Sequence, residues 1–119
     1  MAFDSISGLP IAVTTTGLEP AVSLSTVSAV GTGTALDGAV VRPVAVMSTT
    51  ASTGTTAGAV QLEGSLDRVN WFNLGSAVST TAAGTTQTVV SSAYVRYVRA
   101  AITTAITGGT VTASVGVAG

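Results

Sequence analysis

Two carboxylates and one amide lie close together in the middle of the chain, at Glu63, Asp67 and Asn70. Oxygen ligands of this kind can hold calcium, and two neighbouring carboxylates can work as a general acid and a general base. Their spacing does not match the loop of an EF-hand. Asp and Asn also cap the backbone of tight turns, so the favoured interpretation of Asp67–Asn70 is a turn between two strands.

Serine and threonine hydroxyls are abundant, but a hydroxyl nucleophile needs a base beside it. The chain contains no His and no Cys, and its four basic residues are all Arg. A Ser-His-Asp triad, a Cys-His pair, a zinc finger and a disulfide framework are therefore excluded. The sequence predicts a protein that is not an enzyme, with no catalytic residue, no cofactor and no metal.

The chain has few aromatic side chains. Three of them are considered as ligand-binding residues and not as catalytic ones. Trp71 and Phe72 are adjacent, so on a strand they point to opposite faces and one of them can be exposed. An exposed Trp71 or Tyr97 would be able to stack on a sugar ring, whereas the simpler alternative places Trp71 over the edge of the core.

Two arginines lie close in sequence to one of these aromatic residues. Arg96 and Arg99 lie on either side of Tyr97. An Arg in this segment is expected to pair with Glu63 or Asp67 across a sheet, or to bridge two subunits, because its planar group binds carboxylates through two hydrogen bonds.

The overall charge excludes further classes of partner. Charged residues make up 8% of the chain and the net charge is −1. Four dispersed Arg do not form the basic patch that nucleic acid requires.

Nowhere do about 20 large apolar residues run together, so no membrane helix is predicted. The N-terminus lacks a basic segment followed by an apolar one, which predicts that the chain is not exported by a secretory signal.

The elements that must position these side chains are strands, because the abundant Val and Thr are β-branched and fit a pleated surface. Alternation is clearest over Gly109–Val117, where every second residue is Val or Ala. We predict an all-β fold, an antiparallel β-sandwich or jelly roll of about seven strands. The strands are placed at Ala21–Val30, Ala39–Met47, Ala59–Leu66, Trp71–Leu74, Gln87–Ser91, Tyr97–Thr103 and Gly109–Val117.

Three local expectations follow from this pattern. Pro43 cannot donate a ladder hydrogen bond, so Ala39–Met47 is expected to be an edge strand or to be bulged. The low-complexity segment Ser48–Gly58 is expected to be an exposed loop. In Ala59–Leu66, alternation places Leu66 on the core side and Gln61 on the opposite side.

Residues 21–119 are predicted to form the sandwich domain, and residues 1–20 an extended N-terminal arm. The arm carries Phe3, Leu9 and Ile11 among Ser, Thr, Gly and Pro. A purely solvated tail would not be expected to hold so many large apolar side chains. We therefore expect these three residues to dock on a partner subunit.

One stretch of the sequence contains a pattern that also occurs in a known group of proteins. Val60–Ser76 contains a strand, then Gly-Ser-x-Asp-x-x-Asn-Trp, then x-x-Leu, and it is followed by Tyr94–Arg99 and a closing strand at Thr107–Ala113. It resembles the hairpin of many small virion proteins of tailed bacteriophages. The resemblance covers about half of the chain, and Arg68 stands where a Gly usually follows the Asp.

The resemblance implies a structural role in a phage virion, without catalytic residues, in a particle assembled in the host cytoplasm. The leading hypothesis is a capsid decoration (cement) protein that forms a homo-oligomer and binds the major capsid protein or another virion protein, but neither nucleic acid nor membrane. Arg96 and Arg99 join the arm residues as predicted interface residues. The alternatives are a tail component (tube, tip or fibre domain) and a carbohydrate-binding β-sandwich module that uses Trp71 or Tyr97.

Overall fold

The computed structural model describes the backbone of residues 3–4 and 9–10 and the whole of residues 20–119. Every regular element in this part of the chain is a strand, and no helix in it is long and apolar enough to cross a membrane. In chain order the strands are β1 (Phe3–Asp4), β2 (Leu9–Pro10), β3 (Ala21–Val27), β4 (Gly31–Thr32), β5 (Leu36–Arg42), β6 (Val44–Ala51), β7 (Ala57–Ser65), β8 (Trp71–Ser79), β9 (Gly84–Val90), β10 (Val95–Thr107) and β11 (Val111–Ala118).

Nine of these strands form two antiparallel sheets that share one hydrophobic core. The four-stranded sheet has the order β3-β11-β6-β9. The five-stranded sheet has the order β4-β10-β7-β8, and β5 also pairs with β10. The two remaining strands, β1 and β2, pair with each other. The predicted all-β class and the antiparallel sandwich are confirmed.

The strand count exceeds the prediction partly because the segment Ala39–Met47 divides at Pro43. The chain bends there, so that β5 joins the five-stranded sheet and β6 joins the four-stranded one. The expectation of an edge strand is confirmed for β5, whose single ladder partner in residues 20–119 is β10, and is wrong for β6, which lies between β11 and β9. Pro43 stays outside the ladder at the crossing between sheets, where its missing N–H costs no hydrogen bond. The other additional strand is the two-residue β4.

The expectation of an exposed loop at Ser48–Gly58 is confirmed only for a loop at residues 52–56 and is wrong for both ends of the segment. Strand β6 continues to Ala51, and β7 begins at Ala57. Thr49 and Ala51 are buried, because alternate residues of β6 face the other sheet. Part of this low-complexity segment therefore forms a strand, because a β-branched Thr fits a pleated sheet as well as it fits a loop.

The core is made by the two inner faces. Its largest fully buried side chains include Met47, Val111 and Val115 from the four-stranded sheet, and Leu62 and Ile102 from the five-stranded sheet. The predicted alternation of β11 is confirmed, because Val111, Ala113, Val115 and Val117 are all buried.

Two side chains of β7 and its turn differ from the predicted alternation. Leu66 is 57% exposed, because the strand has ended before it. Gln61 is buried, and its Nε2 donates hydrogen bonds to the carbonyl oxygens of Leu62, Leu74 and Gly75 at 2.9, 3.1 and 3.2 Å. The β7–β8 register shifts between Val60 and Leu62, so Gln61 lies at an irregularity of the ladder, and its buried amide is hydrogen-bonded there.

Ser23 connects the two sheets through polar groups. Its Oγ accepts a hydrogen bond from the backbone N–H of Ala100 in β10 at 2.9 Å and donates one to the carbonyl of Thr34 at 2.7 Å. Both Ser23 and Ala100 are buried. A strand of one sheet thereby satisfies a buried donor of the other.

Charge separates the two sheets. Strands β3, β11, β6 and β9 contain no charged residue. Within residues 20–119, all seven charged side chains belong to β5, β7, β10 or the β7–β8 turn. We call the five-stranded sheet the charged sheet and the four-stranded one the uncharged sheet.

The predicted arm of residues 1–20 lies outside the described residues, apart from the backbone of β1 and β2 and the residue Pro20. Ile11 is outside them as well, and for Phe3 and Leu9 only the backbone is described. Their predicted role at an interface stays a prediction.

Candidate functional site

The outer face of the charged sheet gathers Arg68, Trp71, Arg96, Tyr97 and Arg99, which we call the arginine–aromatic surface. Strand register explains how residues far apart in sequence meet here. Tyr97 of β10 is paired with Ser65 of β7, and Ser65 is paired with Trp71 of β8. Side chains in one such row project from the same face.

Arg99 occupies the centre of this surface. Its Nε donates a hydrogen bond to Glu63 Oε1 at 2.8 Å, and the two residues are direct partners in the β10–β7 register. Its guanidinium carbon lies 3.9 Å from the centre of the Trp71 ring. The Arg99 and Glu63 side chains are only 20% and 16% exposed. The predicted pairing of an Arg with Glu63 across the sheet is confirmed.

Arg96 forms a second, more exposed ion pair. Its Nε and Nη2 donate to the two oxygens of Asp37 at 2.9 and 3.2 Å. These hydrogen bonds hold the pKa of the Asp37 carboxyl below its usual value and raise the pKa of Arg96. The Arg96 guanidinium also lies 5.1 Å from the centre of the Tyr97 ring, within the range of a cation–π contact.

Arg68 reaches the same tyrosine from the β7–β8 turn, at 5.6 Å from the ring centre. Its φ of 66° lies in the left-handed region. Gly would adopt this backbone at lower cost than Arg does. The turn holds this conformation through Ser65, whose Oγ accepts the Arg68 N–H at 2.8 Å.

The Asp67 carboxylate stabilises the β7–β8 turn by accepting hydrogen bonds from residues of the turn. Its Oδ1 accepts the backbone N–H groups of Asn70 and Val69 at 2.8 and 2.9 Å, and its Oδ2 accepts the side-chain amide of Asn70 at 2.7 Å. These donors hold the pKa of the Asp67 carboxyl well below its usual range. The interpretation of Asp67 and Asn70 as residues that cap the local backbone is therefore confirmed.

Trp71 and Phe72 do point to different sides, but neither belongs to the buried core. Trp71 is half-buried beneath Arg99, and Phe72 is 46% exposed. One face of the Trp71 ring is thus covered by a guanidinium group. A sugar that stacked on Trp71 would have to use the opposite face or displace Arg99.

Exposed apolar side chains lie at the same end of the charged sheet as Arg68 and Tyr97, and of these Val69 and Tyr94 were not singled out by the sequence analysis. The β7–β8 turn and the start of β10 meet at this end. The signal available in the sequence was the position of these side chains next to the turn residues. The exposed apolar side chains at this end are Leu66 (57% exposed), Val69 (76%), Phe72 (46%) and Tyr94 (60%).

The arrangement is suited to binding. Asp37 and Asp67 already accept hydrogen bonds and have lowered pKa values, the opposite of what a carboxyl group poised as a general acid would need. Within residues 20–119, no three acidic side chains lie close enough to hold a metal ion. Arginines stacked on aromatic rings are instead the composition found at the energetic centre of protein–protein interfaces.

A separate cavity of about 260 Å³ lies beside the β8–β9 loop, away from this surface. Thr49, Val78, Thr80 and Thr85 are among its lining residues, and no charged side chain contributes to it. The cavity therefore adds no ionisable group to the candidate site.

Comparison with known proteins gives one match. Residues 50–119 match the family described as a domain of unknown function, DUF6385. No curated protein and no solved structure matches the chain. The matched residues include all five side chains of the arginine–aromatic surface, whereas Asp37 lies before them. Since the match covers more than half of the sequence, the chain belongs to the DUF6385 family.

Proposed function

We propose that the protein is a non-enzymatic structural protein of a bacteriophage particle, and that it works as a capsid decoration protein. In this role it binds the major capsid protein on the outer lattice and stabilises the shell. The phage context is drawn from the resemblance of the β7–β8 hairpin to small virion proteins. The mode of action is drawn from the structure.

The observation that supports adhesion is the concentration of Arg68, Trp71, Arg96, Tyr97 and Arg99 on one outer face. Trp, Tyr and Arg are the residues most enriched among interface hot spots. The guanidinium groups of Arg96 and Arg99 are held by Asp37 and Glu63, so their planar faces are fixed before a partner arrives. A surface ordered in advance loses less side-chain entropy on binding.

The flanking apolar residues of the β7–β8 turn complete the proposed docking face. Leu66 and Val69 are exposed there, and burying them against a capsid subunit would contribute the non-directional part of the affinity. In the same proposal, the N-terminal arm adds further apolar contacts through Phe3, Leu9 and Ile11.

The test is a binding assay on undecorated capsids assembled from the major capsid protein of the same phage. Trp71→Ala and Arg99→Ala are each expected to weaken sedimentation with capsids, with a loss of about 2 kcal/mol for a hot-spot residue. Ser48→Ala is the matched control, because Ser48 is exposed on β6 of the uncharged sheet. Full capsid binding by both surface variants would exclude this surface, and equal loss in the control would point to damaged folding.

The arm is tested separately by deleting residues 2–12. Reduced capsid binding by the shortened chain, together with unchanged thermal unfolding, would support the docking of Phe3, Leu9 and Ile11. Undiminished binding would remove the arm from the proposed mechanism.

Two alternatives remain as proposals with their own readouts. A tail component would be located on the tail, not the head, in an electron-microscopy map of the particle. A carbohydrate-binding module would bind a glycan array through Trp71 or Tyr97. The partly exposed Trp71 is the observation that favours glycan binding. Loss of array binding in Trp71→Ala, together with no capsid binding by the wild-type protein, would favour this alternative over decoration.

A further inference from the structure

Each sheet of the sandwich has exposed edges, and the four principal edge strands differ in how open they are to another chain. An edge strand presents unpaired N–H and C=O groups, and proteins usually protect it with charges, bulges or short length. The edges of the uncharged sheet are β3 and β9, and those of the charged sheet are β8 and, beside the short β4, β5.

Three of these edges carry a protecting feature. The pairing of β3 with β11 shifts register twice, and Thr26 in β3 has a φ of 52°. Strand β5 is irregular at Ala39, where φ is 68°, and it bears the charged Asp37 and Arg42. Strand β8 is irregular where Gly75 has a φ of 68°.

Strand β9 is more regular than these edges, and its one positive φ, 141°, is at its first residue, Gly84. Gly84–Val90 pairs with β6 through seven consecutive residues without a register shift. It contains no charge and no Pro, and five of its seven residues are Thr or Val. In the described part of the chain, β6 is its single ladder partner, and most of its residues are exposed. It is a flat, regular edge rich in residues that favour strands.

We propose that β9 is a self-association edge, at which two copies of the chain pair β9 with β9 in antiparallel orientation about a two-fold axis. An antiparallel pair of identical strands is self-complementary, as a two-fold interface requires. The two four-stranded uncharged sheets then become one continuous eight-stranded sheet.

The lack of charge on β9 is what selects a second copy as the occupant. Antiparallel self-pairing places the central residue of the strand opposite itself, so a charge at that position would face a like charge. The central residue of β9 is the neutral Gln87, which meets no such repulsion. Full overlap of the seven residues sets the axis at the middle residue, Gln87, and brings Thr85 opposite the partner's Val89.

This inference is independent of the proposed function, because it concerns the isolated chain and a different sheet. The arginine–aromatic surface remains uncovered when β9 pairs. A dimer would therefore present two such surfaces to a lattice, and their joint binding would exceed the affinity of either one.

Cysteine cross-linking gives a direct test, since the chain has no native Cys. Directly opposed residues in an antiparallel pair have Cα atoms about 4.5–5.5 Å apart, within the range that a disulfide spans. Gln87→Cys is expected to form a covalent dimer under mild oxidation. Ser48→Cys is the matched control, because Ser48 is exposed and is the β6 partner of Gln87, one strand away from the edge.

Sedimentation of the full chain supplies the second test. The wild-type protein is expected to be a dimer, and Gln87→Lys is expected to raise its dissociation constant about tenfold or more, because two ammonium groups meet at the axis. Gln87→Asn keeps a neutral amide and should remain dimeric. A monomeric wild-type protein, a Gln87→Lys dimer of unchanged affinity, or equal cross-linking of Ser48→Cys would each overturn the proposal. Neither of these two tests involves capsid binding. A failure of the β9 dimer can therefore be told apart from a failure of the proposed capsid decoration role.

Discussion

The two outer faces of the sandwich cover similar apolar interiors and yet share almost no chemistry. The charged sheet carries three arginines stacked on two aromatic rings, whereas the uncharged sheet shows mainly hydroxyl, amide and methyl groups. The inner faces of both sheets consist mainly of Val, Ala, Leu, Ile and Met, with the buried polar residues Ser23 and Thr49 among them. The difference teaches that folding constrains the inner faces alike and leaves each outer face free to specialise. In our proposals one face binds a different protein, and the edge of the other sheet binds a second copy.

The largest expected effects test whether the inner faces are equivalent. Leu62→Ala in the charged sheet and Met47→Ala in the uncharged sheet should each lower the free energy of unfolding by about 2–5 kcal/mol, because both side chains are fully buried. Urea unfolding at unchanged m-value measures this loss. Val22→Ala is the control, since Val22 is 53% exposed and should change stability by less than about 0.5 kcal/mol. A large loss for one core variant alone would show that one sheet dominates the core.

The link between the sheets should rank next. Ser23→Ala removes the acceptor of the buried Ala100 N–H and should lower the free energy of unfolding by about 1–3 kcal/mol. Ser25→Ala, on the same strand but exposed, is the matched control. If thermal unfolding of the two variants were indistinguishable, the contact between Ser23 and Ala100 would not stabilise the sandwich.

The ion pairs of the charged sheet sharpen the comparison further. A double-mutant cycle on Glu63 and Arg99 is expected to give a coupling energy of about 1 kcal/mol, because the pair is largely shielded from water. The Asp37–Arg96 pair is about twice as exposed and should give a smaller coupling that falls more steeply when salt is raised. The reverse order would mean that solvent exposure does not set the strength of these pairs.

The smallest expected effect concerns Asp67, and it is seen only at acidic pH. The pKa of Asp67 is lowered in the folded protein from an ordinary value of 3.8, so its contribution to stability is complete above that value and is lost as the pH falls through the folded pKa. Melting temperatures measured from pH 6 down to pH 2 should therefore decline for the wild-type chain. Asp67→Asn should show a weaker decline, and Leu66→Ala, which keeps the carboxylate, should retain it. An unchanged acid profile in Asp67→Asn would remove Asp67 as its cause.

Local patterns in the sequence predicted much of this fold. The alternation of Val and Ala in β11 and the turn at Asp67 followed from spacing, because each depends on neighbours along one or two strands. An Arg paired with Glu63 or Asp67 was also expected, and the structure shows that Arg99 pairs with Glu63. The prediction failed at Gln61, whose burial depends on a shift in the β7–β8 ladder. It also failed at Ser48–Gly58, where Thr and Ser suit a strand and a loop equally well.

By itself, the sequence determined that the chain is built from strands and that it lacks the imidazole, thiol and amine groups on which much enzyme chemistry depends. Only the tertiary structure decided which strands lie at an edge and which side chains meet on one face. Arg68, Trp71 and Arg99 come from a turn and two strands, and ladder register brings Arg68 near the Tyr97 ring and Arg99 onto the Trp71 ring. Register is a property of pairing between distant segments, so it is set by the packing of the whole core and by no single stretch of residues.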